Sequence, residues 1–239
     1  MGARYSIYAD WNPWHGCTKI SPGCKYCYVY RQDEMYGSAT QSSLCRKTGA
    51  FDLPIRKKRD GSYKIDPGKI VFTCFTSDFL LKDADPWREE CWRMIKKRSD
   101  CYFYFFTKRI DRLAQCLPPD WGGGYENVII GCTVENQDRA DFRLPIFLEL
   151  PIRHRSIIAS PLLEALDLRA YLDPDKIEEL STGGISCPRP RRQILITGFP
   201  TIICRKRWPK PCISSRIPQN RPHFWMMKKV LSREDLHKS

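Results

Sequence analysis

Three cysteines, Cys17, Cys24 and Cys27, stand within eleven residues of the segment WNPWHGCTKISPGCKYCYVY. Thiolates at this spacing are ligands for zinc or for an iron–sulfur cluster. Six residues ending in Ser-Pro-Gly separate the first two sulfurs, and CKYC offers the second and third from a single turn, so one loop can bring all three together. A zinc centre would need a fourth ligand, for which His15, two positions before Cys17, is the candidate; a closed Cys3His site would be structural. An iron–sulfur cluster held by the three thiolates is the second reading, and simple packing of the cysteines the third. Cys45 stays open as a further thiol.

Positioning such a loop requires a scaffold, and the first 180 residues supply a repeating one. KIVFTCFTSDF (69–79), CYFYFFTKR (101–109), NVIIGCTVEN (127–136) and HRSIIASPLLE (154–164) are apolar, β-branched or aromatic runs that end in polar residues, the pattern of buried strands. YSIYAD (5–10) serves as a first strand and IEELSTGG as a weaker sixth near 177–182. DPWREECWRMIKKRSD predicts a helix capped by Asp85, with Pro86 in its first turn and Trp87, Cys91, Met94 and Ile95 on one face. Strand followed by helix, repeated, implies a parallel α/β sheet. A full or partial (β/α) barrel is expected, with an open doubly wound sheet as the alternative; either carries its site at the carboxyl ends of the strands. The cysteine loop follows the first strand and leads into a helix at CYVYRQDEMYG. That placement puts it at the same end as Thr76, Ser77, Asp78, Thr107, Lys108, Arg109, Thr133, Glu135, Asn136, Ser160 and Glu164. Helix capping and ion pairing are the ordinary structural roles of such residues.

Composition bounds the rest. The chain has 239 residues, twelve cysteines and a net charge of +13. No basic segment followed by an apolar run opens it, and CYFYFF is too short to cross a bilayer, so a cytoplasmic protein with reduced thiols and no membrane partner is expected. From Leu180 to Ser239 thirteen Lys or Arg face only Glu234 and Asp235, which is +11 of the total and leaves +2 for residues 1–179. Prolines recur through that tail at 188, 190, 200, 209, 211, 218 and 222. The fold is therefore expected in residues 1–184, with 185–239 a divergent basic segment. GGG at 122–124 lacks the Lys-Ser or Lys-Thr of a phosphate loop, and the four histidines show no metal-binding pair at helical spacing.

WNPWHGCTKISPGCKYCYVY, FTSDF, FFTKRIDR, VENQDRADFRLP and PLLEALDLRAYL, in that order, resemble the bacterial and phage family described only by its three-Cys motif and unknown function, over about residues 8–184. The resemblance implies a 4Fe-4S cluster on Cys17, Cys24 and Cys27 and association with a separate three-Cys-motif partner protein. More distantly, the loop is similar to that of radical S-adenosylmethionine enzymes. Those place three cysteines after the first strand of a partial (β/α) barrel with an aromatic residue before the last, as Tyr26 stands here; their first two cysteines are separated by three residues, not six. The likeness implies S-adenosylmethionine as cofactor, with Tyr26, Asp78, Lys108, Glu135 and Asn136 as candidates for holding it or the substrate. Two function classes follow: an iron–sulfur enzyme of radical type, or a non-catalytic module, stabilised by zinc or a cluster, that binds nucleic acid or protein. Related chains continue after the double glycine with Glu-Ser-Gly, whereas here ISCPRPRRQ follows Gly184 and LSREDLHK (231–238) again resembles the family's ending. The tail is thus either a flexible basic arm or a frame-shifted segment bounded by genuine sequence.

Overall fold

The computed structural model describes residues 7–37 and 42–183, and the backbone alone of 227–229. The remaining tail, with its basic-arm and frame-shift readings, lies outside the described residues. In chain order the elements are β1 (Tyr8–Trp11), β2 (Trp14–His15), α1 (Tyr28–Met35), β3 (Arg46–Lys47), β4 (Ile70–Thr73), α2 (Asp85–Lys97), β5 (Tyr102–Thr107), α3 (Leu113–Cys116), β6 (Val128–Thr133), α4 (Gln137–Glu149), β7 (His154–Ala159), β8 (Glu179–Thr182) and β9 (Met227–Lys229).

The expected strands form an α/β sheet in the order β1-β4-β5-β6-β7-β8, every neighbouring pair parallel, with β9 antiparallel on β8. The strand order follows the chain without reversing. A doubly wound sheet reverses at a switch point, so that alternative does not describe this sheet. Among the described residues no pairing joins β1 to β8 or β9, and the sheet is open between them.

Period-two alternation gives the sheet two unlike faces. Val71, Phe103, Val128, Ile130 and Ile157 belong to the main core with Cys91, Trp92 and Ile95 of α2 and Ala140, Leu144 and Phe147 of α4. The opposite face carries a smaller cluster of Tyr104, Ile129 and Ile158, flanked by Ile70, Phe72, Tyr102 and Phe106, with no helical member among the described residues. There the Tyr104 and Ser156 hydroxyls are hydrogen-bonded and Ser181 donates to Glu179 at 2.8 Å. Burial, with Glu179 nearby, pushes the Tyr104 phenol well above its ordinary pKa, so it stays protonated.

Two local expectations need correction. Ala84 occupies the cap position of α2, and Asp85 is its first residue, where the carboxylate binds Arg88 and Arg112 instead of capping. β4 stops at Thr73 rather than running through FTSDF, because Cys74 takes a left-handed conformation at φ 63°. Such a backbone costs a non-glycine residue about 1–2 kcal/mol. It turns residues 75–78 across the carboxyl end of the sheet.

Gly131 of β6 shows how tightly the second face is packed, since a β-carbon there would lie 2.7 Å from a Phe106 ring carbon and 3.0 Å from Ile158. Gly131→Ala should therefore lower stability by about 1–3 kcal/mol, read as a drop in the urea midpoint; wild-type stability would show that this face yields more readily than its packing implies.

Candidate metal-loop site at the carboxyl end of the sheet

The cysteine loop is attached to the strand ends at several points. β2 pairs with β3 and so fixes its start. Gly16 donates to Thr76 O at 3.2 Å, the Ser77 hydroxyl donates back to Gly16 O, and Cys17 N donates to Ser42 O at 2.8 Å. Gly16 has φ 94° and a β-carbon would stand 2.1 Å from Leu44 O, so only glycine fits this approach. Pro22–Tyr26 forms a short 3-10 helix that carries Cys24, and Cys27 is the cap of α1.

Asp78 lies at the centre of the attachment. Phe79, next to it, is fully buried against Phe105 at 4.7 Å, Trp92 at 5.0 Å and Trp14 at 5.4 Å, which immobilises the backbone at Asp78. The Asp78 carboxylate accepts hydrogen bonds from Thr107 Oγ1 (2.8 Å), Leu80 N (2.9 Å), Lys108 N (3.1 Å) and Arg109 Nη1 (3.1 Å). Arg109 in turn reaches the loop. Its Nη1 lies 3.6 Å from Cys17 Sγ, and Nη2 donates to Thr18 O at 2.7 Å and Thr18 Oγ1 at 2.9 Å.

A second attachment passes through β6 and α4. Glu135, fully buried, accepts from Arg143 Nη1 at 2.7 Å and from Gly23 N at 3.4 Å; the same Nη1 also donates to Thr133 O at 2.7 Å. A β-carbon on Gly23 would press on the Glu135 side chain at 3.1–3.2 Å. Arg143 Nε is buried with no hydrogen-bond partner among the described residues.

All three cysteines are free thiols of intermediate exposure. Burial above all, and then the charges of Cys17, Cys27 and Cys24, push the Tyr30 phenol upward, so the three sulfurs lie within electrostatic reach of one ring. Its hydroxyl donates to Cys17 O. Burial and the Asp78 charge push the Cys17 thiol up to about 12 while Arg109 pulls it down. Even beside Arg109 the thiol holds its proton; a coordinating metal is what would remove it.

Among the described residues, no three His, Cys, Asp or Glu side chains are grouped so as to hold a single metal ion. A mononuclear zinc site, with Zn–S of about 2.3 Å, would need sulfurs about 3.8 Å apart. A cubane attaches each thiolate to a different iron and so accepts wider spacing. His15, the expected fourth zinc ligand, has Nε2 on Asp33 Oδ2 at 3.0 Å. Cys45 packs against the main core, its charged neighbours Asp83 and Arg88. Three thiols on one loop are the donor set of a cluster with one open iron, and the carboxylate on His15 Nε2 leaves Nδ1 as the nitrogen a closed zinc centre would use.

The other sequence candidates occupy unlike positions. Tyr26 is 37% exposed on the 3-10 turn, with Lys25 Nζ 6.0 Å from its ring centre. Asn136 caps α4, its Oδ1 accepting from Arg139 N at 3.1 Å. Lys108, the bend residue after β5, is half-buried; its backbone N donates to Asp78, and its side chain makes no hydrogen bond among the described residues. Glu164 accepts from Gln137 N at 2.7 Å. The sequence marked Gly23 only as part of the Pro-Gly bend and Arg109 only as one of many strand-end polar groups, and did not single out Arg143, Tyr30, Thr18 or Gly16. The glycines flanking the cysteines were the available signal, because a loop that must approach backbone closely needs them.

Glu135→Ala would leave the Arg143 guanidinium buried without its carboxylate. The expected loss is about 3–5 kcal/mol, read as a lower urea midpoint at unchanged slope; a loss under about 1 kcal/mol, the scale of a surface ion pair, would contradict the role assigned to this pair.

Residues 6–194 match the model of the family described as "Protein of unknown function (DUF5131)", and the chain belongs to that family. No curated protein and no solved structure matches it.

Proposed function

We propose that this member of the family is an iron–sulfur protein, with Cys17, Cys24 and Cys27 as ligands of a four-iron four-sulfur cluster, acting as an enzyme of the radical S-adenosylmethionine type. The observation that carries the reading is the attachment of a three-thiol loop to the carboxyl ends of a parallel sheet through Asp78–Arg109 and Glu135–Arg143. The scaffold we propose is a partial (β/α) barrel. Right-handed crossovers between sequentially ordered parallel strands all place their connections on one side, which agrees with the second-face cluster of Tyr104, Ile129 and Ile158 having no helical member among the described residues.

When bound, a cluster with three protein thiolates supplies one-electron reduction to a ligand at its fourth iron. The chain's own residues set the surroundings. Asp78 and Glu135 act through Arg109 and Arg143 to hold the loop, and Asn136 fixes the start of α4 beside it. Lys108, half-buried in the bend after β5, has the polar group left over and can take an anionic group of cofactor or substrate. Tyr26, beside Cys27, borders the approach from solvent. From the family resemblance, the proposed partner is a separate three-Cys-motif protein.

Anaerobically purified protein should contain iron and acid-labile sulfide and absorb in the visible, and Cys24→Ala should lose both colour and iron. A colourless protein with stoichiometric zinc would return the loop to a structural metal site. Reduced protein should also release 5′-deoxyadenosine from S-adenosylmethionine; an intact cluster without this product would leave the non-catalytic binding module. Lys108→Met should raise the KM for S-adenosylmethionine about tenfold, the scale of one charge-assisted hydrogen bond, at unchanged iron content. An unaltered KM would remove Lys108 from the site.

A further inference from the structure

Arg109 is 7% exposed, and its terminal nitrogens are already engaged: Nη1 with Asp78 Oδ2 at 3.1 Å and Cys17 Sγ at 3.6 Å, Nη2 with Thr18 O at 2.7 Å and Thr18 Oγ1 at 2.9 Å. A guanidinium has two hydrogens on each terminal nitrogen. With four acceptors around those two nitrogens, no terminal N–H is left over for a substrate anion. Asp78 cannot swing away and release it, because Thr107 Oγ1 and the backbone of Leu80 and Lys108 hold the carboxylate and Phe79 anchors the chain beside it.

We infer that Arg109 is a positioning residue for the metal loop: oriented by Asp78, it holds the Cys17–Thr18 corner and directs an N–H and a positive charge at the Cys17 sulfur, raising the reduction potential of whatever cluster that sulfur holds. The physical basis is that one-electron reduction, by dithionite for example, adds negative charge that spreads onto the ligand sulfurs. A donor and a fixed positive charge beside one of them stabilise the reduced form more than the oxidised form. The burial of Arg109 makes that difference larger than for a guanidinium at the surface. Lysine cannot reproduce the arrangement, since one ammonium cannot span Asp78, Cys17 Sγ and both Thr18 oxygens.

This inference rests on the proposed iron–sulfur function, and its test separates the two. Iron content, folded fraction by circular dichroism, and midpoint potential by dye-mediated titration are measured for the reconstituted wild type, Arg109→Gln, Arg109→Lys and the control Arg139→Gln, a half-buried arginine of α4 beside Phe142. A wild type that takes up no iron rejects the iron–sulfur function itself. Given a cluster, Arg109→Gln should shift the reduction equilibrium at least tenfold toward the oxidised form, about 59 mV more negative for one electron. Arg109→Lys should fall between it and the wild type, and Arg139→Gln should not move. Loss of iron from folded Arg109→Gln, whether or not Arg109→Lys retains it, likewise supports the positioning role. A wild-type potential in iron-replete Arg109→Gln overturns the inference, as does loss of iron matched by equal loss of folded protein in both Arg109 variants.

Discussion

The candidate site depends on one buried ion pair. Asp78 and Arg109 are 5% and 7% exposed, and between them they join the turn after β4, the end of β5 and the cysteine loop. Removing two charges from water is costly, and their attraction offsets that cost only where hydrogen bonds satisfy the remaining lone pairs and protons. Here they do: four donors surround the Asp78 carboxylate, and Arg109 reaches Cys17 Sγ and two oxygens of Thr18. The pair is better understood as a specifier of geometry than as a source of stability. A hydrophobic replacement could pack as well without fixing where the sulfur sits.

Strain and close approach have the same outcome. The left-handed backbone at Cys74 directs Thr76–Asp78 over the sheet end, and Gly16 lets the loop come against Leu44. Glu135 and Arg143 repeat the design from the other side, with Gly23 pressed on the carboxylate. Two buried carboxylates, each neutralised by an arginine, thus hold opposite ends of a loop whose thiols are themselves only partly buried.

The strand–helix rhythm was legible because apolar runs and polar strand ends follow directly from burial, and each of the six expected parallel strands is present. The boundary of β4 was not: FTSDF has strand composition, and nothing in it announces the turn at Cys74. Asp85 preceding Pro86 has the composition of a cap, yet a cap and a first helical residue differ only in backbone angles. At the site, the cysteines and Asp78, Lys108, Glu135 and Asn136 could be picked out by type and position. Which of them is tied to an arginine and which leaves a polar group over could not, because that depends on partners 31 residues away for Asp78 and 8 for Glu135, brought together by the sheet. Arg109 and Lys108 are neighbours of like charge in the sequence, and only Arg109 is drawn to the cysteine loop, by Asp78 and Thr18.

X-ray absorption at the iron and zinc edges of anaerobically purified protein tests the central claim most directly, namely that this loop carries a multi-iron cluster on three thiolates. The expected result is an iron edge with a sulfur first shell and iron neighbours beyond it, both lost in a variant with Cys17, Cys24 and Cys27 replaced by alanine. A zinc edge alone, with a mixed sulfur–nitrogen shell near the usual Zn–S distance of about 2.3 Å, would contradict it.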